Sequence, residues 1–173
     1  MKLFFTLLFL IGLFNTSDAQ QNRGKRQKGY GQIAFSIYGN DEVYASPGLS
    51  FGAGALLGNN ITTGIGFDIY MFNKFNKEGL RFSQAYLDFR AYYSGLEKAG
   101  PYIAFQPGVV LLKKEAISAV KAGFSMNLLG GFFVKITRNT GIMASLGYGL
   151  ITYSSNGMEA RKNGVKFNMG FCF

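Results

Sequence analysis

A carboxylate and a guanidinium stand two residues apart at Asp88 and Arg90, and Asp68, Lys135 and Lys166 are the other charges set within long alternations of apolar and small or polar residues. On a strand, residues i and i+2 share a face. Asp88 and Arg90 are therefore suited either to gripping a polar ligand or to pairing within a closed interior, and the interior network is the expected use because buried charges need partners. The catalytic options are few. The chain has no histidine, which removes the imidazole base, imidazole metal ligation and the Ser/His/acid triad. A serine–lysine arrangement is formally open, but nothing in the spacing supports it. Cys172 is the single cysteine, so it has no disulfide partner in the chain and reads as an inert, lumen-facing side chain. The glycine pairs Gly52/Gly54, Gly64/Gly66 and Gly147/Gly149 do not open a helix after a strand, as a phosphate cradle must. They are expected to make space on one strand face. No catalytic residue, metal site or cofactor is expected.

The elements that position these residues are strands. Of 173 residues, 48% are apolar, 16% aromatic and 16% charged, with 24 glycines. That is too much glycine and aromatic for a helical bundle, and too much aromatic for a disordered chain. From Tyr30 onward the hydrophobic period is two. Strands are predicted over residues 32–38, 49–57, 61–72, 84–93, 102–112, 123–136, 142–153 and 164–173. Ile33, Phe35 and Ile37 illustrate the apolar phase of the first, and Leu87, Phe89 and Tyr93 that of the fourth. Pro107 weakens the fifth strand, because proline cannot donate to a ladder. Short connections are expected at 58–60, 94–100 and 137–141, and longer, more polar ones at 39–47, 73–83, 113–122 and 154–163.

All five strand charges fall on the face opposite the bulky apolar residues. A charge on a lipid-facing wall costs roughly 2–4 kcal/mol near the bilayer centre, which accounts for their absence from the apolar face. A water-soluble barrel of the lipocalin kind would instead turn the Gly/Ser/Asn/Tyr face to solvent, with far fewer charges than a soluble surface normally carries. Only a closed barrel satisfies every backbone group in hydrocarbon. The expected fold is thus an all-β, eight-stranded, antiparallel, up-and-down transmembrane β-barrel. Short turns on one rim and longer loops on the other place both termini on the periplasmic side.

Residues 1–19 read as a secretory signal: Lys2 is followed by an apolar run over 3–14, and Ser17-Asp18-Ala19 offers a cleavage site before Gln20. The run falls short of the roughly 20 residues of a membrane-spanning helix. Residues 20–29 form a basic periplasmic tail with Arg23, Lys25, Arg26 and Lys28, expected to be solvated, with contact to anionic lipid or cell-wall material as the sharper alternative. The barrel is expected over 30–173. The chain's net charge is +9, yet nucleic acid is not an expected partner for an exported protein.

The chain closes with Phe167, Met169, Phe171 and Phe173 at alternate positions. This ending resembles the signal by which the outer-membrane barrel assembly machinery recognises its clients. Residues 85–94 (AYLDFRAYYS), 100–108 (GPYIAFQPG) and 163–173 (NGVKFNMGFCF) resemble the small outer-membrane β-barrel domain family common in Bacteroidota, and the resemblance covers 30–173. It implies a cell outer-membrane address and says little about activity. Lys74, Lys77, Arg81, Lys113, Lys114, Lys121, Arg161 and Lys162 fall on or near the long-loop rim, where outer-membrane lipid and lipopolysaccharide phosphates would be met. A structural or surface-interaction role without catalysis is expected. The alternative is passage of small or apolar solutes, which needs a lumen not filled by Tyr38, Tyr70, Tyr86, Tyr92, Tyr102 and Tyr153.

Overall fold

The computed structural model describes residues 29–40, 43–57, 60–70, 80–93, 99–114, 120–137, 140–155 and 158–173. The expected signal, the basic tail up to residue 28, Lys74 and Lys77 lie outside the described residues. Eight strands follow in chain order: β1 Gly29–Asn40, β2 Val43–Leu57, β3 Ile61–Tyr70, β4 Leu80–Tyr92, β5 Gly100–Lys114, β6 Val120–Lys135, β7 Gly141–Ser155 and β8 Met158–Cys172. Each pairs antiparallel with its sequence neighbours, and β1 closes on β8. The expected eight-stranded antiparallel barrel is the one found. Closure leaves no open sheet edge. At the seam, the Gly31 and Phe173 backbones exchange hydrogen bonds of 2.7 and 2.9 Å, so the start of β1 and the end of β8 share a rim.

The strand ends depart from the sequence reading. The segments expected as long connections over 39–47 and 154–163 are mostly paired: Asn40 stands opposite Val43 and Ser155 opposite Met158. Polar residues hid these ends from a hydrophobic period, but a ladder needs only a neighbouring backbone, and each hairpin supplies one. Two of the four segments expected as long connections are thus mostly strand, and the contrast in connection length between the rims is smaller than expected.

Pro107 leaves the register of β5 intact. Tyr86 pairs with Gly108 and Phe89 with Phe105, a single register on both sides of an interruption at Leu87, Asp88, Gln106 and Pro107. On the β6 side the ladder is continuous, with Gln106 opposite Asn127 and Pro107 opposite Met126. The missing donor is thus felt only toward β4.

The two faces of the wall differ in chemistry. Ile33, Phe35, Ile65, Leu87, Phe89, Ile103, Phe105, Leu128 and Phe171 are exposed on the outside, Ile103 by 63%. Asp68, Asp88, Arg90, Lys166, Gln84, Gln106 and Asn127 are buried within. An apolar exterior around a polar interior inverts the arrangement of a water-soluble protein. Inward glycines admit the lumen aromatics: a Cβ on Gly66 would collide with the Tyr86 ring, and one on Gly131 with Tyr102.

Candidate functional site

The lumen holds three layers. At the rim away from the termini, Tyr38, Tyr70, Phe82, Val110, Ile151 and Tyr153 form a buried cluster. Tyr70 stacks on Phe82 at 4.3 Å between ring centroids, and Tyr38 meets Phe82 edge-on at 5.5 Å. Toward the terminal rim, Tyr30, Tyr92, Tyr102, Ala104, Leu129, Phe133, Met143 and Cys172 form a second cluster. The six tyrosines expected to fill the lumen are all buried.

Between the clusters lies a charge network. Arg90 binds Asp88 through Nε at 3.1 Å and through Nη2 at 2.6 Å, and Nη2 also donates to Gln32 Oε1 at 2.5 Å. Its guanidinium lies 5.9 and 5.6 Å from the Tyr30 and Tyr102 ring centroids, within reach of the ring quadrupoles. Lys166 Nζ meets Asp68 Oδ2 at 2.5 Å and stands 4.7 Å from the Tyr86 ring centroid. Asp68 also accepts from Tyr70 at 3.3 Å and Tyr86 at 3.1 Å. Gln106 joins the two pairs, donating to Asp88 at 3.0 Å and accepting from Lys166 at 3.2 Å. With two carboxylates and two cations the network is neutral, and hydrogen bonds to phenols and amides help compensate the desolvation of each charge.

Of the five expected members, Asp68, Asp88, Arg90 and Lys166 come together, and Lys135 does not. Lys135 keeps the inward parity of β6 but is its last residue and is exposed. Its neighbours Ile136 and Thr137 enter a turn closed on Thr140, where water solvates an ammonium at no desolvation cost.

The arrangement holds paired charge. Both carboxylates are engaged by a cation, and no group of three or more metal-ligating side chains occurs among the described residues. Cys172 is buried in the terminal-rim cluster. Sequence reasoning missed Gln106 and Gln32, whose only signal was a polar residue in the inward phase. It also missed Phe82, which falls in the connection expected over 73–83 but lies in β4, and Leu129, Phe133 and Ile151, because the apolar phase of their strands is assigned wholly to the outside.

Of the expected rim cations, Arg161 is exposed, in phase with exposed Val165. The side chains of Arg81, Lys113, Lys114, Lys121 and Lys162 lie outside the described residues. In β8 and just past its end, Met169, Phe171 and Phe173 are exposed on the outer face, with Phe167 in the same phase and half-buried. Also on the outer wall, Ile103, Leu128, Gly130, Leu146, Tyr148 and Val165 line a shallow apolar groove of about 620 Å³.

No protein-family model matches the chain, and no curated protein matches it. Solved structures do. Neisserial surface protein A superposes with a TM-score of 0.63 at 11% identity, covering 83% of this chain and 94% of its own. The outer membrane protein OprG of Pseudomonas aeruginosa gives 0.57 at 11% identity, covering 86% and 95%. The N-terminal β-barrel domain of Pseudomonas aeruginosa OprF gives 0.55 at 14% identity, covering 84% and 100%. At such identities the likeness is one of fold: this chain has the architecture of small outer-membrane barrels.

Proposed function

We propose that the chain is an integral outer-membrane barrel with a structural or surface-interaction role and no catalysis. The observation that carries this reading is the inverted wall: exposed Phe, Leu and Ile outside, and a paired, aromatic-capped charge network inside. Hydrocarbon is the solvent that such a wall suits, and a closed barrel is one of two structures able to cross it. An exported chain with this wall belongs in the outer membrane, with the terminal rim toward the periplasm. The opposite rim, with its lysines and arginines, then meets the phosphates of lipopolysaccharide, and the aromatic ending of β8 serves as the assembly signal. Passage of small solutes through the centre would require both aromatic clusters to move.

The experiment is conductance of the purified protein in planar lipid bilayers. A silent membrane is expected. Discrete conductance steps would overturn the closed reading and favour solute passage.

A further inference from the structure

Gly130 leaves a dent in the outer wall. Ile103 stands opposite it on β5 and Leu146 on β7, and Leu128 and Tyr148 face each other one outward position nearer the rim away from the termini. All four flanking side chains are more than half exposed. A Cβ added at Gly130 would meet nothing nearer than the Leu146 carbonyl oxygen, at 4.0 Å, so the floor is open backbone. With Val165, opposite Tyr148, these residues enclose the apolar groove of about 620 Å³. It crosses the wall from Ile103, near the terminal-rim end of β5, to Val165, where the apolar phase of β8 gives way to exposed Asn163 and Arg161.

Arg161 gives the occupant of this groove its chemistry. It lies two outward positions beyond Val165, about 13 Å along the strand, within the span of a lipid headgroup above its chain. Thr152 stands opposite it on β7, and among the described residues no carboxylate pairs with it. In hydrocarbon an acyl chain gains nothing from the hydrophobic effect by touching a wall. A dent over a glycine still gives it contacts on several sides that a flat wall lacks, and a cation beyond the groove's end selects a lipid with an anionic head. We propose that the groove seats one acyl chain of a phosphate-bearing outer-leaflet lipid, with its phosphate held by Arg161. The inference rests on the reading of the barrel as embedded in the outer membrane, and it deepens that reading by giving one lipid a fixed seat.

The test uses the full-length protein, folded in nonionic detergent. It is titrated with bisphosphorylated lipid A, with the same lipid fully dephosphorylated, and with the phosphorylated disaccharide stripped of its acyl chains. The wild type is expected to bind the first most tightly. Gly130→Leu fills the dent and should weaken that binding about fivefold or more, through the packing contacts the chain loses. Arg161→Gln should weaken it about tenfold, as expected for losing a charge-assisted hydrogen bond, and leave affinity for the dephosphorylated lipid unchanged. Ile65→Phe enlarges the exposed wall on β3, away from the groove, and should change binding by no more than about twofold. Unfolding temperatures near that of the wild type would show that the variants fold. Equal affinity of the wild type, Gly130→Leu and Arg161→Gln for lipid A would overturn the seat while leaving general lipid contact intact. A wild type that binds neither lipid and stays monodisperse without detergent would overturn the embedded reading as well. Binding of the chain-free disaccharide as tight as that of lipid A would assign the site to a phosphate alone and overturn the groove. A wild-type dimer broken by Gly130→Leu would make the groove an interface between copies, and would likewise overturn the lipid seat.

Discussion

Lys166 and Asp68, separated by 98 residues in sequence, meet at 2.5 Å in the middle of the lumen, and both are fully buried. β8 carries the cation and β3 the carboxylate, and these strands are not neighbours in the barrel. The contact therefore spans the interior instead of running along the wall. With Gln106 from β5 accepting from the same ammonium, it ties three separated strands together.

Replacing Lys166 by Met should destabilise the barrel by about 3–5 kcal/mol, because Asp68 would be left as a buried, unpaired charge. The double variant Lys166→Met with Asp68→Asn should recover most of that loss, since the charge to be compensated is gone. Urea-induced unfolding of the protein in lipid vesicles measures both. A single variant as stable as the wild type would show that water reaches Asp68 and that the lumen is open there.

Glycine on the inner wall should be far less replaceable than glycine on the outer wall. A Cβ at Gly66 would overlap the Tyr86 ring, whereas at Gly130 the nearest atom, the carbonyl oxygen of Leu146, would be 4.0 Å away. Gly66→Ala is expected to cost about 1–3 kcal/mol by overpacking, and Gly130→Ala to stay within about 0.5 kcal/mol. Heat-dependent loss of the folded band on gels ranks the two. Equal tolerance would mean that Tyr86 does not occupy the position described.

Legibility in the sequence followed the alternation. In β3 and β4, polar and apolar residues take strict turns around Asp68, Asp88 and Arg90, so the inward charges could be read directly. In β6, Leu128-Leu129 and Phe132-Phe133-Val134 supply apolar residues to both faces. No period could show that Leu129 and Phe133 point inward, where they cap the lumen. Strand ends past the apolar belt, such as 158–163, carry polar residues held by backbone pairing that leaves no mark on side-chain pattern. Cross-lumen partners such as Gln106 depend on register and barrel closure. A local pattern specifies neither.

If hydrocarbon bathes the outer wall, a reporter placed on that wall must answer to lipid and not to water. Leu87 lies on that wall, 50% exposed, with Asp88 next to it buried. The chain has no tryptophan, so Leu87→Trp gives a sole indole reporter at this position. In lipid vesicles, brominated acyl chains should quench its fluorescence strongly, and aqueous acrylamide should quench it little. Strong quenching by acrylamide with none by the brominated chains would place the Phe-and-Leu wall in water and contradict the account.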